Sequence, residues 1–126
     1  MAKPSPRKKL IKECDDLWAK IVKARDGKCM ICGRDGCLQA HHCHVRQYLA
    51  TRHDPENGVS LCRGCHYRGH MEPERFRDQI IAIIGEEKYL QLKEKSRFYG
   101  KPFKITVKDL EDRREWLIAE WARRQG

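Results

Sequence analysis

Residues 29–70 read CMICGRDGCLQAHHCHVRQYLATRHDPENGVSLCRGCHYRGH, and this stretch decides the fold. It holds six of the seven cysteines and all six histidines of a 126-residue chain. Such crowding into about a third of the chain points to metal binding. A disulfide framework is the competing explanation. Against it stand the odd cysteine count, an N-terminus without the apolar segment of a secretory signal, and histidines left with no job.

The cysteines contain two C-x2-C pairs, Cys29-Met-Ile-Cys32 and Cys62-Arg-Gly-Cys65. Each pair forms a tight turn that aims two thiolates at one point. Two such knuckles complete a tetrahedral sulfur site for Zn²⁺, with bonds of about 2.3 Å. Four thiolates leave no open position, so the expected zinc is structural and offsets the small core of a short chain. The interval between the knuckles exceeds that of a usual zinc ribbon, so other structure must fit between them. Leu38 to Val45 reads as a strand, and Val59-Ser60-Leu61 as a second. Asp54-Pro55-Glu56-Asn57-Gly58 between them is strong turn chemistry, and Asn57-Gly58 can seed a hairpin. A short helix is expected from Arg63 toward His70. On it His66 and His70 stand at i and i+4, on one face, where two imidazoles can share an ion. Nitrogen ligands with spare positions suit a catalytic ion rather than a structural one.

Outward from this segment the chain reads as helical. Leu10, Ile11, Cys14, Leu17, Trp18, Ile21 and Val22 recur at the three-and-four spacing of an amphipathic helix, ending near Asp26 with Gly27 as a left-handed cap. The first seven residues carry two prolines, lead into a basic stretch and read as a mobile arm. Glu72-Pro73-Glu74 opens a helix whose stripe is Phe76, Ile80, Ile83 and Ile84, with Gly85 as its stop. Glu86 to Lys95 is a further helix, and Gly100 and Pro102 break the pattern. Thr106 and Asp109 mark one more helix start, followed by Leu110, Leu117, Ile118 and Trp121 on one face. Cys14 and the tryptophans Trp18, Trp116 and Trp121 are read as core, Cys37 and Cys43 as spare thiols, and His53 as an exposed turn residue. One domain is expected, α+β and mostly helical.

The net charge is +9, the pI about 9.4 and the mean hydropathy −0.82. No apolar run approaches the roughly 18 residues that a membrane span needs, so no membrane partner is expected. The charge is uneven: residues 1–28 carry nine basic against four acidic residues. A surface of that kind attracts polyanions without reading their sequence.

The order His42…Asn57…His66, on strand, loop and helix, resembles the HNH endonuclease family with its ββα-metal core. The wording Leu-Gln-Ala-His-His and Asp-Pro-Glu-Asn-Gly-Val-Ser-Leu-Cys-Arg-Gly-Cys-His is very like HNH proteins that carry a four-cysteine zinc. The likeness covers about Cys29 to His70. It implies 29–71 as the HNH core with its zinc; the periodicity and charge give 1–28 as a basic arm and N-terminal helix and 72–126 as a helical extension, all in one compact domain. It also implies roles. His42 matches the general base and Asn57 the residue that holds the hairpin and orients that base. His41 and His66 match ligands of the catalytic ion. His70 matches a third ligand found in some branches, the nuclease colicins among them. One departure is His44, where an apolar residue is more usual.

Phosphodiester hydrolysis adds negative charge to an anionic phosphate, which a divalent cation neutralises. Mg²⁺ or Mn²⁺ is the expected ion, and imidazoles also accept Ni²⁺, Co²⁺ or Zn²⁺. A neutral imidazole can take the proton of the attacking water near neutral pH. Arg46, Arg52, Arg63 and Arg68 are candidate phosphate clamps. The sequence reading is therefore a metal-dependent DNA endonuclease, cytoplasmic and bacterial or phage-encoded, as monomer or homodimer. Its rival is a non-catalytic, zinc-stabilised nucleic-acid-binding module. A third reading is a zinc- or redox-responsive protein that uses the spare thiols.

Overall fold

Pro6 cannot donate an N–H, and at the first turn of a helix none is needed. Ser5 before it caps the helix by accepting from the Lys8 N–H at 3.2 Å. Helix α1 therefore spans Pro6–Asp26 and starts four residues before the expected Leu10. Ser5 to Arg7 belong to the cap and first turn rather than to a basic arm. Gly27 closes α1 with φ 68, the left-handed cap read from the sequence. The computed structural model describes residues 5–44, 46, 48–100 and 105–125, with side chains to Ser96 in the segment that ends at residue 100. Residues 1–4 of the expected arm, Val45 at the expected strand end, and Pro102 lie outside it.

Strand β1 covers Leu38–His42 and strand β2 Gly58–Cys62, paired antiparallel with His41 opposite Val59 and His42 opposite Gly58. Cys43 and His44 have already left the strand, which is shorter than Leu38–Val45. The connection holds a short helix α2, Leu49–Arg52, and a 3-10 turn at Pro55–Asn57. Asn57-Gly58 is thus not a two-residue hairpin turn. Asn57 ends the 3-10 turn, and Gly58 is extended with φ −148. Helix α3, Arg63–Met71, follows β2 directly, and α4, Pro73–Ile84, follows α3. Helix α5 runs Glu86–Gly100, past the expected Lys95, so Gly100 ends a helix rather than interrupting a loop. Helix α6, Val107–Gln125, opens on a reciprocal cap. Thr106 Oγ1 accepts from the Asp109 N–H, and the Asp109 carboxylate accepts from the Thr106 N–H.

Two apolar regions organise these elements. Along α1, Leu10 packs with Ile105 and Leu110, and Cys14 and Ile21 pack with Leu117 of α6. Around the knuckles, Cys29, Cys62 and Cys65 bury with Val59, Leu61, Phe76 and Ile80. Burying each of the larger side chains contributes roughly 1.5–3 kcal/mol. The expected α6 stripe is narrower than read: Leu110 and Leu117 are buried, Trp121 is packed against the cluster of Leu117, Cys14 and Ile21, but Ile118 is exposed. Trp116 is exposed as well.

Gly58 lets α1 approach the sheet. A Cβ there would lie 2.6 Å from Trp18 Cζ2 and 2.7 Å from Val22 Cγ2. The end of α1 then grips β2. Arg25 donates to the carbonyls of Pro55 and Gly58, and the Asp26 carboxylate accepts from the Ser60 N–H at 2.8 Å.

Candidate metal centre and histidine cleft

The four cysteine sulfurs of the two knuckles all lie within 4.8 Å of one another. Cys29 and Cys32 come from the turn after α1. Cys62 ends β2 and caps α3, and Cys65 stands in the first turn of α3. The Cys32 N–H donates to Cys29 Sγ and the Cys65 N–H to Cys62 Sγ, both at 3.5 Å. Cys32 Sγ and Cys62 Sγ are 3.6 Å apart. Sulfurs about 2.3 Å from a shared tetrahedral ion would be about 3.8 Å apart, so the cluster has the size of a metal site. Burial opposes ionisation of Cys29, but the backbone N–H groups of Cys32, Cys62 and Ile31 outweigh it and lower the thiol to about 6. The Cys65 N–H likewise lowers Cys62. Burial raises Cys65 to about 12, against the Arg68 guanidinium that donates to its sulfur. Four thiolates this close repel one another, and a cation among them removes that conflict. The four cysteines can therefore hold a structural metal ion.

A cleft of about 680 Å³ has a wall that includes His41, His42, His66 and His70 together with Arg46 and Arg77. His42 Nε2 lies 2.9 Å from the Arg52 carbonyl. A carbonyl only accepts, so Nε2 carries the proton, and Nδ1 keeps its lone pair. Nδ1 has no hydrogen-bond partner among the described residues. The imidazole also stacks on the Trp18 indole, with centroids 4.0 Å apart and planes 11° from parallel. Burial pulls His42 down to about 4, so the ring is neutral at pH 7.

His66 and His70 face each other across one turn of α3, Nε2 to Nε2 at 3.2 Å. His66 Nδ1 donates to the Gln39 side-chain oxygen, which leaves Nε2 as its lone-pair nitrogen. His41 sets its ring against His66 at a centroid distance of 4.9 Å and against His70 at 6.2 Å. Phe76 packs against His41 from below, 4.7 Å away. Phe76 can sit there because Gly69 has no side chain; a Cβ would fall 2.3 Å from its ring. Burial lowers His41 to about 4, helped by the charges of His66, His42 and His70, and burial with His70 lowers His66. The imidazoles are looser than the sulfurs. Among the described residues, only the four cysteines bring three or more ligand atoms mutually within 4.8 Å.

Asn57 is fully buried and acts on the loop rather than on His42 itself. Its Oδ1 accepts from the His44 N–H at 2.7 Å, and its Nδ2 donates to the carbonyls of His44 and Thr51. That staples the start and end of the β1–β2 connection, whose Arg52 carbonyl holds His42.

The candidate arginines are dispersed. Arg46 is exposed on the cleft wall, 3.6 Å from Asp15. Arg52 spends its guanidinium in two bonds to Asp15, at 2.8 and 2.7 Å. Arg68 lies at the sulfur cluster, and Arg63 is exposed at the start of α3. Arg77, one turn along α4 from the helix start, is a cleft residue that sequence reading passed over.

His53 is the largest correction. It is buried, at 3% exposure, rather than an exposed turn residue. Its Nε2 donates to Asp15 at 2.8 Å, and its Nδ1 accepts from Arg113 at 2.9 Å. Arg113 also donates to the Leu49 carbonyl. The network ties α1, α2 and α6 together behind the cleft. Burial would raise the Asp15 carboxyl, but the hydrogen bonds from His53 and Arg52 hold it well below the carboxylate range. No local signal marks this trio, because Asp15, His53 and Arg113 are far apart in sequence. Comparison with family models, curated proteins and solved structures gave no match.

Proposed function

We propose that this chain is a metal-dependent DNA endonuclease of the HNH type, with His42 as general base and a structural zinc in the four-cysteine site. The observation that carries the reading is the state of His42. Its Nε2–H is held by the Arg52 carbonyl, which leaves Nδ1 a free lone pair on the same cleft as the His66–His70 pair. A neutral imidazole fixed in one tautomer is what abstraction of a proton from water needs.

Soft thiolates in two knuckles suit zinc, and the sulfur spacing fits it. The imidazoles fit a second, divalent ion. Two nitrogens each about 2.1 Å from one ion are about 3.0–3.4 Å apart, which brackets the His66–His70 separation. His41 is the third ligand in this reading. When bound, such an ion neutralises charge on the scissile phosphate and on the leaving 3′-oxygen.

The chain's own residues supply the rest. Nδ1 of His42 takes a proton from the attacking water, whose oxygen bonds to phosphorus. The bond from phosphorus to the 3′-oxygen breaks, and that oxygen is protonated from solvent. The ends are a 5′-phosphate and a 3′-hydroxyl. The Arg52 carbonyl steadies the imidazolium as it forms, because it still accepts from Nε2–H. Arg46 and Arg77, which line the same cleft, are the cations available to phosphates flanking the break. The net charge of +9 favours such a polyanion.

Supercoiled plasmid incubated with Mg²⁺ or Mn²⁺ tests the reading. Wild type is expected to nick it, and His42→Ala to keep fold and zinc but lose nicking. Equal cutting by both would remove His42 as the base. DNA binding without any metal-dependent cut would favour a non-catalytic zinc module.

A further inference from the structure

We infer that Trp18 is a positioning residue of the reaction centre, holding the plane of the His42 imidazole. This rests on reading His42 as the general base.

The two contacts on His42 restrain different motions. The Arg52 carbonyl bonds to Nε2 and prevents the ring from flipping, which would exchange Nδ1 for a carbon. It does not stop the ring from tilting about the N–H···O axis. The stacked indole of Trp18 stops that tilt. Neither contact uses Nδ1. An indole face offers no donor or acceptor that would compete for it, whereas a polar side chain in the same place would.

Trp18 is itself held firmly. It is 3% exposed, and its Nε1–H donates to the Asp54 carbonyl at 2.8 Å. The sheet is shaped to admit it. Gly58, the cross-strand partner of His42, is the residue whose absent side chain makes room for the indole. The second restraint leads back to the same helix. Asp15, one turn before Trp18 on α1, takes the Arg52 guanidinium in a bidentate pair and so fixes the residue whose carbonyl holds Nε2. One restraint on the base therefore comes from α1, and the other, the Arg52 carbonyl, is braced by it, although α1 lies outside the Cys29–His70 segment. Core packing alone would ask only for apolar volume at position 18. The parallel stack asks for a flat ring.

The test compares the zinc-loaded full chain with Trp18→Phe, which keeps a flat ring, and Trp18→Leu, which does not. Both variants lose the bond to Asp54, so both carry that structural loss. Nicking is measured at saturating Mn²⁺, well below the melting temperature of each. Trp18→Leu is expected to lower kcat by about 10²-fold with little change in KM, the scale of effect that a misplaced catalytic group produces. Trp18→Phe is expected to restore most of it. ¹⁵N imidazole spectra give a readout independent of activity. The His42 Nε2–H signal should persist in wild type and Trp18→Phe and broaden or vanish in Trp18→Leu. Unchanged His42 signals in Trp18→Leu, or equal kcat in the two variants, overturn the role of Trp18. A wild type that cuts with none of the divalent metals tested overturns instead the nuclease reading beneath it.

Discussion

Replacing Gly58 by alanine should cost this protein about 3 kcal/mol. The backbone does not object, since φ −148 and ψ 146 suit any residue. The cost is steric. The new methyl would lie 2.6 Å from Trp18 Cζ2, 2.7 Å from Val22 Cγ2 and 3.1 Å from Trp18 Cε2. Carbon atoms prefer about 3.5–4.0 Å, so two contacts are about 1 Å too close. Neither neighbour can step aside: Trp18 is pinned to Asp54 and stacked on His42, and Val22 is fully buried. The relief left is for α1 to lift from β2, which loosens the Arg25 and Asp26 bonds to that strand. Overpacking of this kind costs about 1–3 kcal/mol, and trapped neighbours put it at the upper end. Denaturant titration of the metal-loaded protein measures it, and a melt should fall by roughly 10 °C. Gly64 is the control. It lies in α3 with nothing within 4 Å of its would-be Cβ. Gly64→Ala should stabilise by roughly 0.5–1 kcal/mol. A Gly58→Ala protein within about 0.5 kcal/mol of wild type, inside the range of an ordinary surface change, would refute the packing argument.

Other outcomes follow from the same contacts. Cys62→Ser, or a strong chelator, should abolish metal uptake by the four-cysteine site and loosen the core around Val59, Leu61 and Phe76; metal-to-protein ratio and near-ultraviolet dichroism report both. Stability should fall with acid in two stages. Burial holds the folded His53 below its ordinary value of about 6.5, so the unfolded chain binds the extra proton first and stability drops as pH falls below that value. Asp15, depressed in the fold, adds a second loss as pH falls below about 3.9. Denaturant midpoints from pH 8 to pH 3 test this, and a His53→Asn protein with an unchanged slope between pH 7 and 5 would contradict the first stage. On the proposed nuclease reading, Arg46→Ala and Arg77→Ala should each weaken binding to DNA and lower its salt slope by roughly one, read from affinities at several salt concentrations. An unchanged slope in the double variant would move the DNA path off this cleft.

What the sequence reveals here is what repeats at short range. The two C-x2-C pairs, the i, i+4 histidines, the Gly27 cap and the Thr106–Asp109 box are each set by a few neighbouring residues, and each has its expected place. The strands were legible in part: Val59-Ser60-Leu61 falls inside β2, while β1 ends at His42, short of Val45. The turn between them was not. Asn57-Gly58 has hairpin chemistry, but the fifteen-residue connection from Cys43 to Asn57 holds a helix and a 3-10 turn, and Asn57 spends its side chain stapling that connection. His53 failed for a different reason. Its partners come from helices at opposite ends of the chain, and a charged-looking loop conceals a buried network. Trp116 and Ile118 failed because a periodic stripe says which side of a helix is apolar, not how much of it a neighbour covers.

Cys62 joins three structures at one residue: the last position of β2, the cap of α3 and one corner of the sulfur cluster. It thereby acts as the vertex of an angle. One arm is the sheet that carries His41 and His42, and the other is the helix that carries His66 and His70. At about 1.5 Å of rise per residue, His70 lies about 12 Å along the second arm, so a rotation of about 5° at the vertex moves it by about 1 Å. That displacement carries His66 and His70 together and changes their distance from His41 on the other arm, whose ring now lies 4.9 Å from the first and 6.2 Å from the second. A four-sulfur centre that touches no histidine would in this way set the aperture of the imidazole cluster, as a bolt sets the opening of a pair of calipers.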